Sequence, residues 1–243
     1  MVRLIRSAAF WLVFAVAAVP FGILAIAMWI GRLPFSLRFR IVSLWAGLGV
    51  HWLRLTCGVK WRVEGAENIP SQPCIIAANH QSTWETLFLQ QLFRPQSWVL
   101  KRSLFWIPFF GWGLRSLEPV AIDRSRGRAA LRQIIDQGTP LLEHHRWIVI
   151  FPEGTRLATG QTRRWGSGAS MLATHSGYPI VPLAHDSGRC WPRGSLVFQP
   201  GTITVRIGPP IAIGGRTADQ LTEVVRAWVE NHRPDLPSSQ SSG

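Results

Sequence analysis

From Ser7 to Gly31 the chain reads SAAFWLVFAVAAVPFGILAIAMWIG, without one charged residue. A helix of that length would extend ~37 Å, against a hydrocarbon core ~30 Å thick. Pro20 and Gly22 sit mid-run, where a kink or re-entrant bend is permitted. Arg3 and Arg6 flank one end, and Arg32, Arg38 and Arg40 the other. A second apolar stretch begins at Ile41. Its residues Ile41, Leu44, Trp45, Leu48, Trp52 and Leu55 share one helical face, while His51 and Arg54 make it an interfacial helix rather than a spanning one. Residues 1–57 thus read as membrane-anchoring helices.

After Gly58 the period changes. Short runs rich in β-branched residues appear: VKWRVEG from Val59, CIIAAN from Cys74, SWVLK from Ser97, PVAID from Pro119, WIVIF from Trp147, IVPLAH from Ile180 and ITVRIG from Ile203. Helix-like stretches lie between several of them, over 82–93, 126–137, 167–175 and 217–231. Alternation of this kind predicts an α/β domain over 58–232, a mixed sheet flanked by helices, with ligands gathered where strands end and helices begin. Residues 233–243, RPDLPSSQSSG, predict a disordered tail. LFWIPFFGWGL, from Leu104, is almost wholly apolar, and Pro108 and Gly111 keep it from forming one regular helix. It reads as packing at the domain edge, with a wall for a bound apolar chain or a membrane-dipping loop as the alternatives.

Composition narrows the partners. The formal net charge is +13, carried almost entirely by arginine, since Lys60 and Lys101 are the only lysines. The acids are scattered and no long basic run forms a nucleic-acid arm, so nucleic acid is excluded as a partner. With 13 tryptophans and one tyrosine, such a chain suits an anionic membrane surface or an anionic substrate. Cys57, Cys74 and Cys190 have no paired spacing and imply a reducing compartment. The adjacent His144 and His145 lack metal-ligand spacing, and no metal is expected.

The chemistry gathers in NHQSTWE, residues 79–85, directly after the buried run CIIAA. Two readings stand together. Ser82 and Glu85 have the spacing of a capping box, with Trp84, Leu87, Phe88 and Leu92 as the buried stripe of the helix behind it. Alternatively, Glu85 orients His80. A neutral imidazole can take a proton from an alcohol near neutral pH, and a carboxylate on its other nitrogen fixes the tautomer and stabilises the imidazolium. A thioester donor would need no serine or cysteine nucleophile.

A second motif, FPEGTR at 151–156, follows the strand WIVI. With NHQSTWE it resembles the His-x4-Asp and Phe-Pro-Glu-Gly-Thr-Arg boxes of the 1-acyl-glycerol-3-phosphate acyltransferase family. EPVAIDR at 118–124 looks like that family's second box, and IVPLAHDSG at 180–188 like its fourth, carried by Pro182. All four boxes stand in family order.

The resemblance implies a glycerolipid acyltransferase-like fold and a direct transfer. His80 would deprotonate the sn-2 hydroxyl of 1-acyl-glycerol-3-phosphate, which would attack acyl-CoA or acyl-carrier protein to give phosphatidic acid. Arg124 and Arg156 would hold the acceptor phosphate. Gly154 would allow close backbone approach beside Thr155, and Glu153 would bond the acceptor or hold Arg156. The donor is a co-substrate, and no bound cofactor is expected. The implied location is the inner membrane, with the catalytic domain on its cytoplasmic face. Two departures stand out. Glu85 replaces the family's usual Asp, and Arg163-Arg164-Trp165 replaces a Tyr-Lys pair. Another lyso-lipid acceptor, such as a lyso-ornithine lipid or a lysophospholipid, fits the same boxes. A catalytically idle membrane-anchored lipid-binding protein is the rival from another class, and intact His80, Glu153 and Arg156 argue against it.

Overall fold

The structure is a computed structural model that describes residues 1–107, 110–123 and 127–236. Seven strands form one mixed sheet: β1 (Val59–Glu64), β2 (Ile75–Ala78), β3 (Gln96–Lys101), β4 (Val120–Ile122), β5 (Trp147–Ile150), β6 (Ile180–His185) and β7 (Gly201–Ile207). Their order is β1-β7-β6-β2-β5-β3-β4. All neighbours run parallel except β6 and β7. Each of the seven predicted strands is present, and the alternation did predict the class.

The helices are α1 (Val2–Ile30), α2 (Phe35–Cys57), α3 (Trp84–Leu92), α4 (Phe110–Arg115), α5 (Arg128–Glu143), α6 (Gly168–Ser176) and α7 (Ala218–His232). Side chains alternate across the sheet, so β2 sends Ile76 and Ala78 into the core under α2 and α3, and Ile75 and Ala77 into the core under α5, α6 and α7. Covering both faces is what lets β2 be buried at every position.

Helix α1 is long and apolar enough to cross a membrane, and only 11% of its most apolar window is buried within the protein. It runs through Pro20 as one helix, with no re-entrant break. Its first turns are nonetheless part of the domain. Phe10 is fully buried, edge-on to Trp191 and Phe198, and Trp11 Nε1 donates to the Leu196 carbonyl over 2.9 Å.

Helix α2 divides its apolar and small residues between two faces. Leu44, Leu48 and Leu55 face outward, at 53%, 54% and 77% exposure, while Ala46, Gly47, Gly49, Val50 and Leu53 face the protein. The small residues win the inner face because neighbouring helices come close. A Cβ on Gly49 would stand 2.5 Å from the Phe14 ring of α1, and one on Gly47 would stand 3.0 Å from the Gln91 amide of α3. The leucine stripe faces away from the protein. Arg38 anchors the start of α2: it is buried and donates to the Leu33 and Ser116 carbonyls and to Glu118, which also pairs with Arg146 at 2.9 Å.

The expected tail does not begin at 233. Arg233 and Asp235 are bonded into the domain, with side chains 1% and 0% exposed.

Candidate active site

His80 stands in the turn between β2 and α3. Its backbone is pinned from both sides by the loop that follows β5. The His80 N–H donates to Glu153 Oε2 over 2.8 Å, and its carbonyl accepts from the Leu157 N–H over 2.8 Å. The imidazole stacks on Phe151, with ring centroids 4.1 Å apart. Nδ1 lies 2.8 Å from Glu85 Oε1. An ionised carboxylate only accepts, so Nδ1 carries the proton and Nε2 keeps its lone pair for a substrate.

Glu85 is fully buried. Besides the imidazole it accepts the Gln81 and Ser82 N–H groups, at 2.9 and 2.8 Å, and the hydroxyls of Ser82 and Ser187. Burial pushes its acid up. The His185 and His80 rings and the donated bonds more than offset that, and hold the carboxyl well below the usual range. His185 is itself driven down by burial and so is neutral near pH 7, which leaves the hydrogen bonds as the main support. The expected capping box is only half made. Thr83 is the N-cap, and Ser82 Oγ takes the Trp84 N–H instead of reaching Glu85's. Glu85 does take the Ser82 N–H, so the one carboxylate serves the helix start and the imidazole together.

The loop 151–156 turns at Gly154, whose φ of +71° is the left-handed region that glycine adopts freely. Thr155 and Arg156 then face a cavity of about 610 Å³ that His80 also lines. The Nε of Arg156 is buried without a hydrogen-bond partner, which leaves it available to an anion. Its apolar lining comes from Phe14, Val42 and Trp45 of α1 and α2 and from Leu87, Leu100, Leu104, Leu114 and Leu117. Its polar lining comes from Thr83, Thr86, Gln90, Lys101 and Arg193 together with His80 and Arg156. The apolar run from Leu104 therefore does contribute a cavity wall. It also leaves Trp106 84% exposed.

Two expected roles change. Glu153 is buried and points at the His80 amide, neither into the cavity nor onto Arg156. Burial, partly countered by the His80 N–H bond and the Arg233 charge, lifts its acid to about 7. Pro182 lies inside β6, paired with Ala77, and does not line the cavity. Its strand instead delivers His185, which is braced to Asn79 by three bonds of 2.8 to 2.9 Å. Arg124 lies outside the described residues. Of the two arginines after the second motif, Arg163 and Arg164 are exposed and Trp165 enters the core.

Sequence reading missed the cavity contacts of Lys101, Arg193, Thr86 and Gln90. Lys101 carried one usable signal, as a rare lysine closing a buried strand. It also missed Ser187, a hydroxyl from beyond β6 that reaches Glu85.

Comparisons with known proteins bear on the family and the fold. The family described as Acyltransferase matches residues 60–186. A 1-acyl-sn-glycerol-3-phosphate acyltransferase of Pseudomonas aeruginosa is 40% identical over 98% of this chain and 94% of its own. One from Saccharomyces cerevisiae is 33% identical over 71% of this chain and 58% of its own. The crystal structure of the 1-acyl-sn-glycerophosphate acyltransferase PlsC from Thermotoga maritima superposes with a TM-score of 0.76 over 93% of this chain and 92% of that one; at 24% identity this likeness bears on the fold. With a matched family region that runs from β1 to the end of β6, and a relative alike over nearly its whole length, the chain belongs to the acyltransferase family, in the group of the 1-acyl-sn-glycerol-3-phosphate acyltransferases.

Proposed function

We propose that the protein acylates the sn-2 hydroxyl of 1-acyl-sn-glycerol-3-phosphate from an acyl thioester of coenzyme A or acyl-carrier protein, giving phosphatidic acid. The observation that carries this reading is the His80–Glu85 bond beside a cavity lined by apolar side chains and by Arg156, Lys101 and Arg193. His80 Nε2 takes the hydroxyl proton as the oxygen attacks the thioester carbonyl. The C–S bond breaks as the tetrahedral intermediate collapses, and the imidazolium returns its proton to the leaving thiolate. Glu85 balances the imidazolium charge between those steps. Arg156 holds the acceptor phosphate, joined by Arg124 on the strength of its motif, and an acyl chain lies along the apolar wall. The helix α1 and the outward leucines of α2 support attachment to the inner membrane, with the sheet on the cytoplasmic side.

An acceptor panel tests this. Purified protein is given labelled acyl-CoA or acyl-carrier protein with lysophosphatidic acid, lysophosphatidylcholine, a lyso-ornithine lipid or no acceptor. Labelled phosphatidic acid as the main product supports the reading, and preference for a phosphate-free acceptor would overturn it. Arg156→Ala should raise the KM for lysophosphatidic acid about tenfold or more and leave the donor KM within about twofold.

A further inference from the structure

Beyond the cavity, and outside every motif box, the segment after α7 turns back into the domain and touches both motif loops. Asp235 Oδ2 accepts from Gln81 Nε2 and from the Gly160 N–H, each over 2.8 Å. Arg233 grips Asp235 with two nitrogens, at 2.7 and 3.1 Å, and donates Nη1 to the Gln161 carbonyl over 2.8 Å. The same Nη1 lies 4.0 Å from Glu153 Oε1, and the other oxygen of Glu153 holds the His80 amide. Gln81 is thus held on its amide nitrogen by Asp235, and its amide oxygen accepts the Gly188 N–H over 2.9 Å. Gln81 adjoins His80, and Gly160 and Gln161 follow the loop that carries Arg156.

A buried ion pair is a poor source of net stability, because desolvation cancels much of its attraction. A bidentate pair with each partner also bonded to a different loop does something a hydrophobic pair could not: it fixes those loops in register. We infer that Arg233 and Asp235 are positioning residues for acyl transfer, clasping the His80 loop to the Arg156 loop. The inference rests on the acyl-transfer reading of the site.

The clasp also sets the charge beneath His80. The charged groups that act on Glu153 are Arg233, Asp235 and Glu85, beside the backbone N–H of His80. Arg233 favours the Glu153 carboxylate, and Asp235 opposes it. An ionised Glu153 grips the His80 amide more firmly than a neutral one.

The experiment compares full-length variants with the wild type, which must first be shown to make phosphatidic acid. A silent wild type would remove the acyl-transfer reading itself, and the clasp with it. Given turnover, Gln81→Met is the first variant, since it cuts the link to the His80 loop and leaves the Arg233–Asp235 pair intact. Its kcat should fall by about tenfold, with both KM values little changed and the melting temperature lowered only modestly by the loss of the Asp235 and Gly188 bonds. A kcat within about twofold of wild type would overturn the clasp. Arg233→Met and Asp235→Asn then move the acidic limb of the kcat–pH profile in opposite directions. The limb goes to higher pH when Arg233 is lost, because Glu153 protonates more readily. It goes to lower pH when Asp235 is neutralised. Limbs that stay put, or move together, would reduce the pair to a structural role. Should Arg233→Met fail to fold, the direction of the Asp235→Asn limb decides alone.

Discussion

Glu85 poses the sharpest question at the residue scale, because one carboxylate serves a helix start and a histidine. Glu85→Gln separates the two uses. Glutamine can still accept the Ser82 N–H, so the helix start survives, but the imidazolium loses its counter-charge. Turnover should fall by about a hundredfold or more, since each ~1.4 kcal/mol of barrier is a factor of ~10. Glu85→Asp, which restores the charge, should retain more activity than glutamine. Normal turnover in the glutamine variant would leave Glu85 as a cap alone. Glu153 offers a second test, this time of stability. Its acid stands at about 7 in the folded chain against an ordinary 4.5. Between those values the folded chain holds a proton that the unfolded chain has released. The stability this group contributes is therefore complete below pH 4.5 and is lost as the pH rises to about 7. Glu153→Gln cannot titrate. The melting temperature of wild type minus that of the variant should fall across this window and level off above it, and a flat difference would mean that burial does not raise this acid.

Elements were legible in proportion to how locally they are determined. The seven strands and the helices α3, α5, α6 and α7 follow from runs of β-branched residues and from helical periodicity, which neighbours in sequence settle between themselves. The pair of His80 and Glu85 was legible because a turn and one helical start bring five consecutive spacings together. The contacts of Glu153, Ser187 and Asp235 were not, since only the fold of the whole domain brings them to His80, Glu85 and Gln81. The inner face of helix α2 was illegible for a related reason. Its leucine stripe reads as interfacial, and only contact with α1 shows that the glycines pack inside. Gly49→Leu tests that contact. The added side chain meets the Phe14 ring and must part α1 from α2, at a cost of about 1–3 kcal/mol. The expected result is a lower melting temperature in detergent together with altered acyl-chain preference, because Phe14 also walls the cavity. An unchanged melt would show that the two helices pack loosely there.

At the scale of the whole molecule, the first 57 residues read in the sequence as membrane-anchoring helices. The packing gives them a second part to play. One continuous core holds Phe10, Phe39, Val50 and Leu53 of α1 and α2 together with Ile76, Val149 and Val205 of the sheet and Trp191 and Phe198 of the loop before β7. Removing α1 and α2 would expose that face of the sheet, orphan Trp191 and Phe198, and open the wall formed by Phe14, Val42 and Trp45. Loss of a single buried phenylalanine costs ~3–5 kcal/mol, and a domain holds only ~5–15 kcal/mol in reserve. The chain lacking residues 1–57 should therefore fail to melt cooperatively, even in detergent, and should make no product with any acceptor. Phe10→Ala in the full chain is the graded form of the same test. It leaves nearly all of the apolar length of α1 in place, so membrane association should persist while the melting temperature drops. A truncated chain that melts cooperatively and turns over a detergent-dispersed acceptor would restore the separable anchor. In that case α1 and α2 would only hold the enzyme at its substrate. If the truncation fails and Phe10→Ala is destabilised but still membrane-bound, the two helices are both the attachment to lipid and one wall of the enzyme.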